Sequence, residues 1–126
     1  MVLNSYAKIN LSLSVNGKLK KKKLHEIQSY YCLIDLYDKI KKIKIKKKND
    51  KIIFLGPFAK HIKKSNNSIA NLLAVLRKLK FISNYYSVKV YKNIPVFSGL
   101  GGGTSNAAFI LRFLLKSKAI KIINKV

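Results

Sequence analysis

A cluster of glycines near residue 100 is the part of this sequence best suited to chemistry. The cluster consists of Gly99, Gly101, Gly102 and Gly103, and two hydroxyl residues follow it, Thr104 and Ser105. A strand-like segment precedes the cluster and an apolar run with helical spacing comes after it. Glycines permit positive φ and close backbone approach, while a helix N-terminus presents unpaired N–H groups. The order of these features predicts a phosphate-binding loop, and a plain turn without a ligand is the alternative.

The spacing excludes the commonest phosphate loops. No lysine follows the last glycine, so the segment is not a Walker A loop. Residues 99–104 also fit neither the dinucleotide-binding fingerprint nor the glycine-rich loop of protein kinases. A different class of phosphate loop is therefore expected.

The N-terminal segment from Leu3 to Val15 alternates between apolar and polar residues. This period of two predicts a half-buried strand. Lys8 and Asn10 then lie two residues apart on its polar face and point the same way. Alternation alone is compatible with a solvated face that has no function.

Three segments resemble the GHMP kinases. The stretch 95–108 has their proline, Gly-Leu-Gly, hydroxylated residues and alanine pair, in a Gly-Gly-Gly-Thr-Ser-Asn-Ala-Ala form. Residues 7–11, Ala-Lys-Ile-Asn-Leu, and 34–38, Ile-Asp-Leu-Tyr-Asp, match two further motifs. The branch with the greatest resemblance transfers phosphate from ATP to the 2-hydroxyl of 4-diphosphocytidyl-2-C-methyl-D-erythritol, in the methylerythritol phosphate route to isoprenoids.

The resemblance implies roles for residues near the acceptor. Lys8 would be catalytic, stabilising charge on the moving phosphoryl group, and Asn10 would lie beside it at the substrate. His25 would contact the cytosine of the substrate, although a lone histidine is more often a surface residue. Leu24 replaces an aromatic residue that stacks on the base in the family, which leaves the substrate itself open.

The resemblance also implies ATP as the cofactor, with Mg²⁺ expected. The implied nucleotide contacts are Asn67, Lys92, Pro95, Gly99, Leu100, Gly101, Gly102, Gly103, Thr104 and Ser105. Helix capping explains Asn67 nearly as well. No metal ligands are assigned; only Thr104 or Ser105 offers a contact for Mg²⁺.

The expected fold is α+β, a mainly antiparallel sheet packed by two helices. Residues 1–126 would form one domain, the ribosomal-protein-like N-terminal, ATP-binding domain of GHMP kinases. Strands are predicted at 24–34, 40–45, 51–55 and 86–91, with a turn at Asp35 and Asp38 and a hairpin around Asn49-Asp50. Helices are predicted from 66–68 and from about Ser105. The inward positions expected on the second helix are Ala107, Ala108, Leu111, Leu114 and Leu115.

Composition points toward nucleic acid, but weakly. The chain has 27 basic and 4 acidic residues and a net charge of +23. Only Arg77 and Arg112 are arginines, whereas specific recognition of bases and phosphates favours arginine, so at most non-specific nucleic-acid binding is expected. Cys32, the only cysteine, is expected to be buried. With no apolar run of membrane-spanning length, no membrane association is expected and the predicted location is cytoplasmic.

The resemblance covers only the N-terminal half of a family member. The family continues with a Gly-Ala-Asp-x-Pro segment, whose aspartate is the base, and with a second, C-terminal domain. Neither is in this sequence. The expectation is a truncated or split kinase that acts on a small cytidine diphosphate conjugate and has a separate C-terminal half as its possible partner. The alternative is a basic RNA-associated protein, or an inactive remnant, that retains the fold.

Overall fold

A four-stranded sheet and two helices make up the protein in the computed structural model, which describes residues 2–18, 24–63 and 66–115. The elements in chain order are β1 Val2–Lys18, β2 His25–Ile45, β3 Lys51–Leu55, α1 Ser68–Lys78, β4 Tyr85–Tyr91 and α2 Gly102–Leu115. The strand order is β1-β2-β4-β3, in which β1–β2 and β2–β4 are antiparallel and β3–β4 is parallel. The α+β prediction is therefore confirmed.

One face of the sheet is covered by the two helices. The core joins Ile40, Val88 and Val90 of the sheet to Leu73 of α1 and Ile110 of α2. The side chain of Asn67 begins α1 by accepting hydrogen bonds from the amides of residues 69 and 70 at 3.1 and 3.0 Å. The predicted start of the first helix is confirmed. None of the helices in the described residues is long and apolar enough to cross a membrane.

The predicted hairpin between residues 40–45 and 51–55 is wrong. β4 lies between these two segments, pairing antiparallel with β2 and parallel with β3. A parallel pair requires a long crossover, and α1 provides it between β3 and β4. Asp50 instead connects α1 to β4. Its carboxylate pairs with Arg77 of α1 at 2.9 Å and accepts a hydrogen bond from the Tyr86 amide at 2.9 Å.

The second helix begins at Gly102, three residues before the predicted start. Its buried residues are Gly102, Asn106, Ile110 and Leu115, and Ala108 is exposed rather than inward. The buried stripe is rotated relative to the prediction because Asn106 turns inward to a carboxylate of the sheet.

That carboxylate belongs to Asp38, which the sequence assigned to a turn. In the structure Asp35 and Asp38 lie within the continuous strand β2, where a bulge sets residues 34–36 opposite Ala7. Asp35 is exposed, but Asp38 is fully buried. The turn prediction at these residues is wrong because the extra length is absorbed by the bulge.

Asp38 connects the sheet to both ends of the segment between β4 and α2. Its Oδ2 accepts hydrogen bonds from the Lys92 ammonium and, at 2.9 Å, from Asn106 Nδ2. Its Oδ1 accepts from the amides of Asn93 and Ile94 at 2.8 and 2.9 Å. A buried carboxylate is tolerated only when it is paired and hydrogen-bonded in this way.

The far halves of β1 and β2 form a two-stranded extension beyond the helices, here called the outer ribbon and defined as residues 9–18 and 25–33. Only Ser5 and Ala7 of β1 are buried, whereas Leu11 and Val15 are 70% and 63% exposed. Cys32 is also exposed, contrary to prediction, because it lies on this ribbon. The half-buried pattern predicted for 3–15 thus holds only at its N-terminal end. The sequence also predicts an exposed turn at the run of four lysines at residues 20–23, which lies outside the described residues.

We predict that replacing one partner of the Asp38–Lys92 ion pair destabilises the fold more than replacing both partners. Asp38→Ala or Lys92→Met alone leaves one charge buried without a partner and should lower the free energy of unfolding by about 3–5 kcal/mol. The double variant Asp38→Leu/Lys92→Met should recover part of that loss. Chemical denaturation monitored by circular dichroism measures each value.

Asp35→Asn is the matched control, because Asp35 lies on the same strand but is exposed. It should leave the midpoint of unfolding nearly unchanged. A loss below about 1 kcal/mol for Asp38→Ala, the scale of a surface ion pair, would contradict the structural role assigned to this carboxylate.

Candidate functional site

The glycine loop, residues 95–103, connects β4 to α2. Gly99 and Gly101 have φ of +76° and +72°, a region that L side chains rarely adopt. The first α2 hydrogen bond runs from the Ser105 amide to the Gly101 carbonyl at 2.8 Å. The amides of the intervening residues are therefore at the open N-terminus of the helix, where an anion is stabilised.

Lys8 of β1 lies against this loop. Its backbone amide donates to the Leu100 carbonyl at 3.0 Å. A Cβ added at Gly101 would lie 3.2 Å from Lys8 Cε, so the lysine stem occupies the space that a side chain would need. The edge strand thus brings a flexible ammonium group to the glycine loop, across more than 90 residues of sequence.

Gly102, the second glycine of the triplet, packs closely against two buried side chains. A Cβ at Gly102 would approach Ile94 Cγ2 to 2.9 Å and Lys92 Nζ to 3.3 Å. Both groups are buried and Lys92 is held by Asp38, so they have little room to move. Glycine at this position lets α2 begin directly above the Asp38 network.

The N-termini of the two helices meet at the loop. Ser68, the first residue of α1, donates its hydroxyl to the Gly103 carbonyl at 2.9 Å. Each helix contributes partial positive charge at this end. Their convergence creates a positive region that no single motif of the sequence reveals.

A cavity of about 480 Å³ opens beside the loop. One end is formed by the glycines and Thr104, and the walls include the polar residues His61, Lys63 and Asn66. Apolar side chains contribute the rest of the surface, among them Phe54, Ile62 and Val96. The volume lies in the range of small-molecule sites, and a polar end beside an apolar end suits a phosphorylated aromatic ligand.

Most of the predicted nucleotide contacts border this cavity. The lining includes Asn67, Lys92, Pro95, Gly99, Gly101, Gly102, Gly103 and Thr104. Leu100 and Ser105 do not line it; the Leu100 carbonyl instead binds the Lys8 amide. Lys92 is 3% exposed with its ammonium bonded to Asp38, and Asn67 caps α1, so direct nucleotide contacts by these two side chains stay predictions.

Asn10 is close to Lys8, but His25 is distant from both. Asn10 is two residues along β1, and its Oδ1 accepts from the Ser29 hydroxyl at 3.4 Å. His25 begins β2, eight residues from Leu33, the register partner of Lys8. At about 3.3 Å per residue a regular extended strand would cover at most roughly 26 Å between these two backbone positions.

Sequence reasoning missed three residues of the site: Asp38, Asn106 and Phe97. Nothing local marks Asp38 as a partner of a lysine 54 residues away. Asn106 had a usable signal, because it is four residues before the buried Ile110 and so shares its face of α2. Its Nδ2 donates to Asp38, while its buried Oδ1 has no hydrogen-bond partner among the described residues.

Phe97 was missed because its peculiarity is conformational. It has φ of +61°, a strained value for a bulky residue that costs of order 1–3 kcal/mol. Its side chain is 96% exposed and borders the cavity.

The donor groups at the cavity fit a phosphate-bound Mg²⁺ better than a resident metal. The described residues contain no cluster of three or more histidine, cysteine, aspartate or glutamate side chains. Mg²⁺ keeps several waters and is commonly held by one or two protein oxygens together with substrate phosphates. The exposed Thr104 hydroxyl at the cavity is suited to that arrangement.

Known proteins are similar to this chain in sequence and in fold. The chain is 46% identical to the 4-diphosphocytidyl-2-C-methyl-D-erythritol kinase of Pelagibacter ubique over 95% of its own length and 42% of that protein. It is 35% identical to the kinase of the same name from Ureaplasma parvum, over 98% of its length and 47% of that protein. The chain thus spans less than half the length of these relatives.

Two solved structures have a similar fold. A crystal structure of 4-(cytidine 5'-diphospho)-2C-methyl-D-erythritol kinase superimposes with a TM-score of 0.63 at 24% identity, over 95% of this chain and 40% of that one. Homoserine kinase from Cytophaga hutchinsonii gives 0.62 at 17% identity, over 93% and 36%. Both matches support the fold.

Residues 61–124 match the family described as GHMP kinases N terminal domain. This region contains α1, β4, the glycine loop and α2, and with them most of the residues that line the cavity. By this match the chain belongs to the GHMP kinase N-terminal domain family.

Proposed function

We propose that this chain supplies the nucleotide-binding half of an ATP-dependent kinase that phosphorylates the 2-hydroxyl of 4-diphosphocytidyl-2-C-methyl-D-erythritol. The observation that carries the proposal is the contact between Lys8 and the glycine loop. The contact places a cationic side chain beside an anion-binding helix N-terminus, which is the arrangement that phosphoryl transfer requires. The acceptor is taken from the relatives, which carry that name at up to 46% identity.

The glycine loop would bind the phosphates of ATP. The amides at the start of α2 and the dipoles of both helices favour negative charge at the polar end of the cavity. Mg²⁺ would neutralise part of the phosphate charge when bound, with Thr104 as its protein contact. The apolar walls would take the base.

Lys8 would act from its contact with the glycine loop. Its stem packs on Gly101 and its ammonium lies 5.5 Å from the centre of the Tyr31 ring, so the charge is held close to the loop without an ion-pair partner among the described residues. A free lysine can stabilise the charge that develops on the transferred group and on the acceptor oxygen. Asn10, on the same face of β1, would hydrogen-bond the acceptor.

Two of the four acidic residues in the chain, Asp38 and Asp50, are unavailable as the base that removes the acceptor proton. Asp38 accepts four hydrogen bonds, including one from Lys92, and Asp50 is paired with Arg77. Both carboxylates are therefore occupied in structural roles. We propose that a segment equivalent to the remaining half of the relatives supplies the base.

The outer ribbon provides a surface for that segment. Register places Leu13, Val15, Ile27, Tyr31 and Leu33 on the same face as Lys8 and Asn10. All five side chains are more than half exposed. A contiguous apolar face of this kind in a soluble protein marks an interaction surface. We propose that the second half covers this face and encloses the acceptor beside Lys8.

The first test measures transfer of labelled phosphate from ATP to 4-diphosphocytidyl-2-C-methyl-D-erythritol. The 126-residue chain alone should show little turnover, because phosphoryl transfer depends on enclosed, positioned substrates. Addition of the C-terminal portion of the Pelagibacter ubique relative should raise the rate. High activity of the 126-residue chain alone would refute the proposed division of labour.

The second test replaces Lys8 with methionine, which keeps the stem against Gly101 and removes the charge. In the complemented assay kcat should fall by about 10²–10³-fold, the usual effect of removing one stabilising group. ATP affinity, measured by calorimetry, should change by less than about threefold. Lys78→Met, an exposed lysine at the end of α1 and outside both the outer ribbon and the cavity lining, is the control and should keep full activity; an equal loss in both variants would argue against a role for Lys8.

The third test compares Gly103→Asp with Gly103→Asn. A Cβ at Gly103 would meet only the Ser68 hydroxyl, at 3.8 Å, so both side chains should be accommodated. The aspartate places negative charge where phosphate binds and should weaken ATP binding at least about tenfold more than asparagine does.

The same pair separates the kinase from an RNA-binding protein. One charge among a net +23 alters non-specific RNA binding little. RNA binding unaffected by either substitution, together with no ATP binding by the wild type at physiological salt, would favour the RNA-associated alternative.

A further inference from the structure

Phe97 combines two properties that soluble proteins normally avoid. Its ring is 96% exposed, and its backbone has φ of +61°. Among the non-glycine residues that the structure describes, only Lys80 shares a positive φ. Lys80 directly follows the end of α1, where a left-handed residue closes the helix and the next amide bonds back to the Leu76 carbonyl at 2.9 Å. Phe97 follows no helix and has no such explanation.

The position of Phe97 in the fold supplies an explanation for its exposure and its positive φ. The residue borders the cavity immediately before the glycines, next to Val96. The phosphate end of the cavity begins two residues later, at Gly99. An aromatic ring at this place lies beside the region where a nucleotide bound by its phosphates would carry its base.

We propose that Phe97 is a nucleotide-binding residue whose ring stacks on the base of the bound nucleotide. This inference rests on the proposed function, since it concerns the same cavity. Every nucleobase presents an aromatic face. Stacking of the exposed Phe97 ring on that face would offset the unfavourable exposure of the ring to water. The positive φ directs the ring away from the body of the protein. The turn around this residue is fixed by the neighbouring Ser98, whose hydroxyl donates to the Pro95 carbonyl at 2.8 Å.

The test compares two ligands that share a phosphate chain, ATP and inorganic tripolyphosphate. Binding to the wild type and to Phe97→Ala is measured by calorimetry in the presence of Mg²⁺. Loss of one stacked base predicts ATP binding weakened by about 5- to 100-fold. Tripolyphosphate has no base, and its affinity should change by less than about twofold.

A second variant distinguishes loss of base stacking from loss of the folded structure. Phe97→Gly removes the ring and adopts the positive φ without steric strain, so it should unfold no more easily than the wild type while losing the same ATP affinity. Phe81→Ala is the matched control, because Phe81 is an exposed phenylalanine away from the cavity lining. It should bind both ligands as the wild type does.

A spectroscopic reading follows from the composition. The chain has no tryptophan, so Phe97→Trp introduces a single tryptophan, whose emission can be excited apart from that of the tyrosines. Its emission should be quenched by ATP and unaffected by tripolyphosphate. ATP affinity unchanged in Phe97→Ala, or an equal loss for both ligands, would overturn the inference while leaving nucleotide binding intact. Failure of the wild type to bind either ligand would overturn the proposed function as well.

Discussion

The buried carboxylate of Asp38 is the interaction on which the site depends. It accepts hydrogen bonds from Lys92 and from two amides just before the glycine loop, and from Asn106 in the first turn of α2 after it. Glycine residues leave a loop free to adopt many conformations, and freezing each residue costs roughly 1–2 kcal/mol. By fixing both ends of the loop on the sheet, one carboxylate limits that freedom and sets where the helix begins. The ion pair makes a buried charge tolerable, and the other hydrogen bonds of the same carboxylate hold both ends of the glycine loop.

The second constraint is the contact between the loop and the edge of the sheet. β1 is an edge strand, and an edge strand presents unpaired amides that need partners. The Lys8 amide finds its partner in the Leu100 carbonyl, which places the Lys8 side chain against Gly101. The hydrogen bond that satisfies this backbone donor thereby brings a cationic side chain to the glycine loop. The positive φ of Gly101 and the absence of a side chain there make room for it.

The structure divides into a well-packed part and an unpaired part. The helices cover the sheet around β4 and bury a compact core, whereas the outer ribbon leaves aliphatic and aromatic side chains in water. An exposed apolar face of this kind is typical of an interaction surface, and we propose that further polypeptide covers it. This division agrees with the length relation to the relatives, since the chain covers 42% and 47% of them.

The sequence by itself determined the position of the glycine loop, the family, the α+β class and the beginning of α1. These features rest on local signals, namely glycine spacing, strand alternation and the Asn67 cap, which act over a few residues. It assigned Asp38 to a turn, Asp50 to a hairpin and Cys32 to the core, because the partners of these residues depend on which strands are neighbours. Only the tertiary structure decided that β4 lies between β2 and β3, that Asp38 meets Lys92 and Asn106, and that Phe97 stands in water at the cavity. Contacts between residues 54 and 68 positions apart arise from sheet order and helix packing, which no short stretch of sequence encodes.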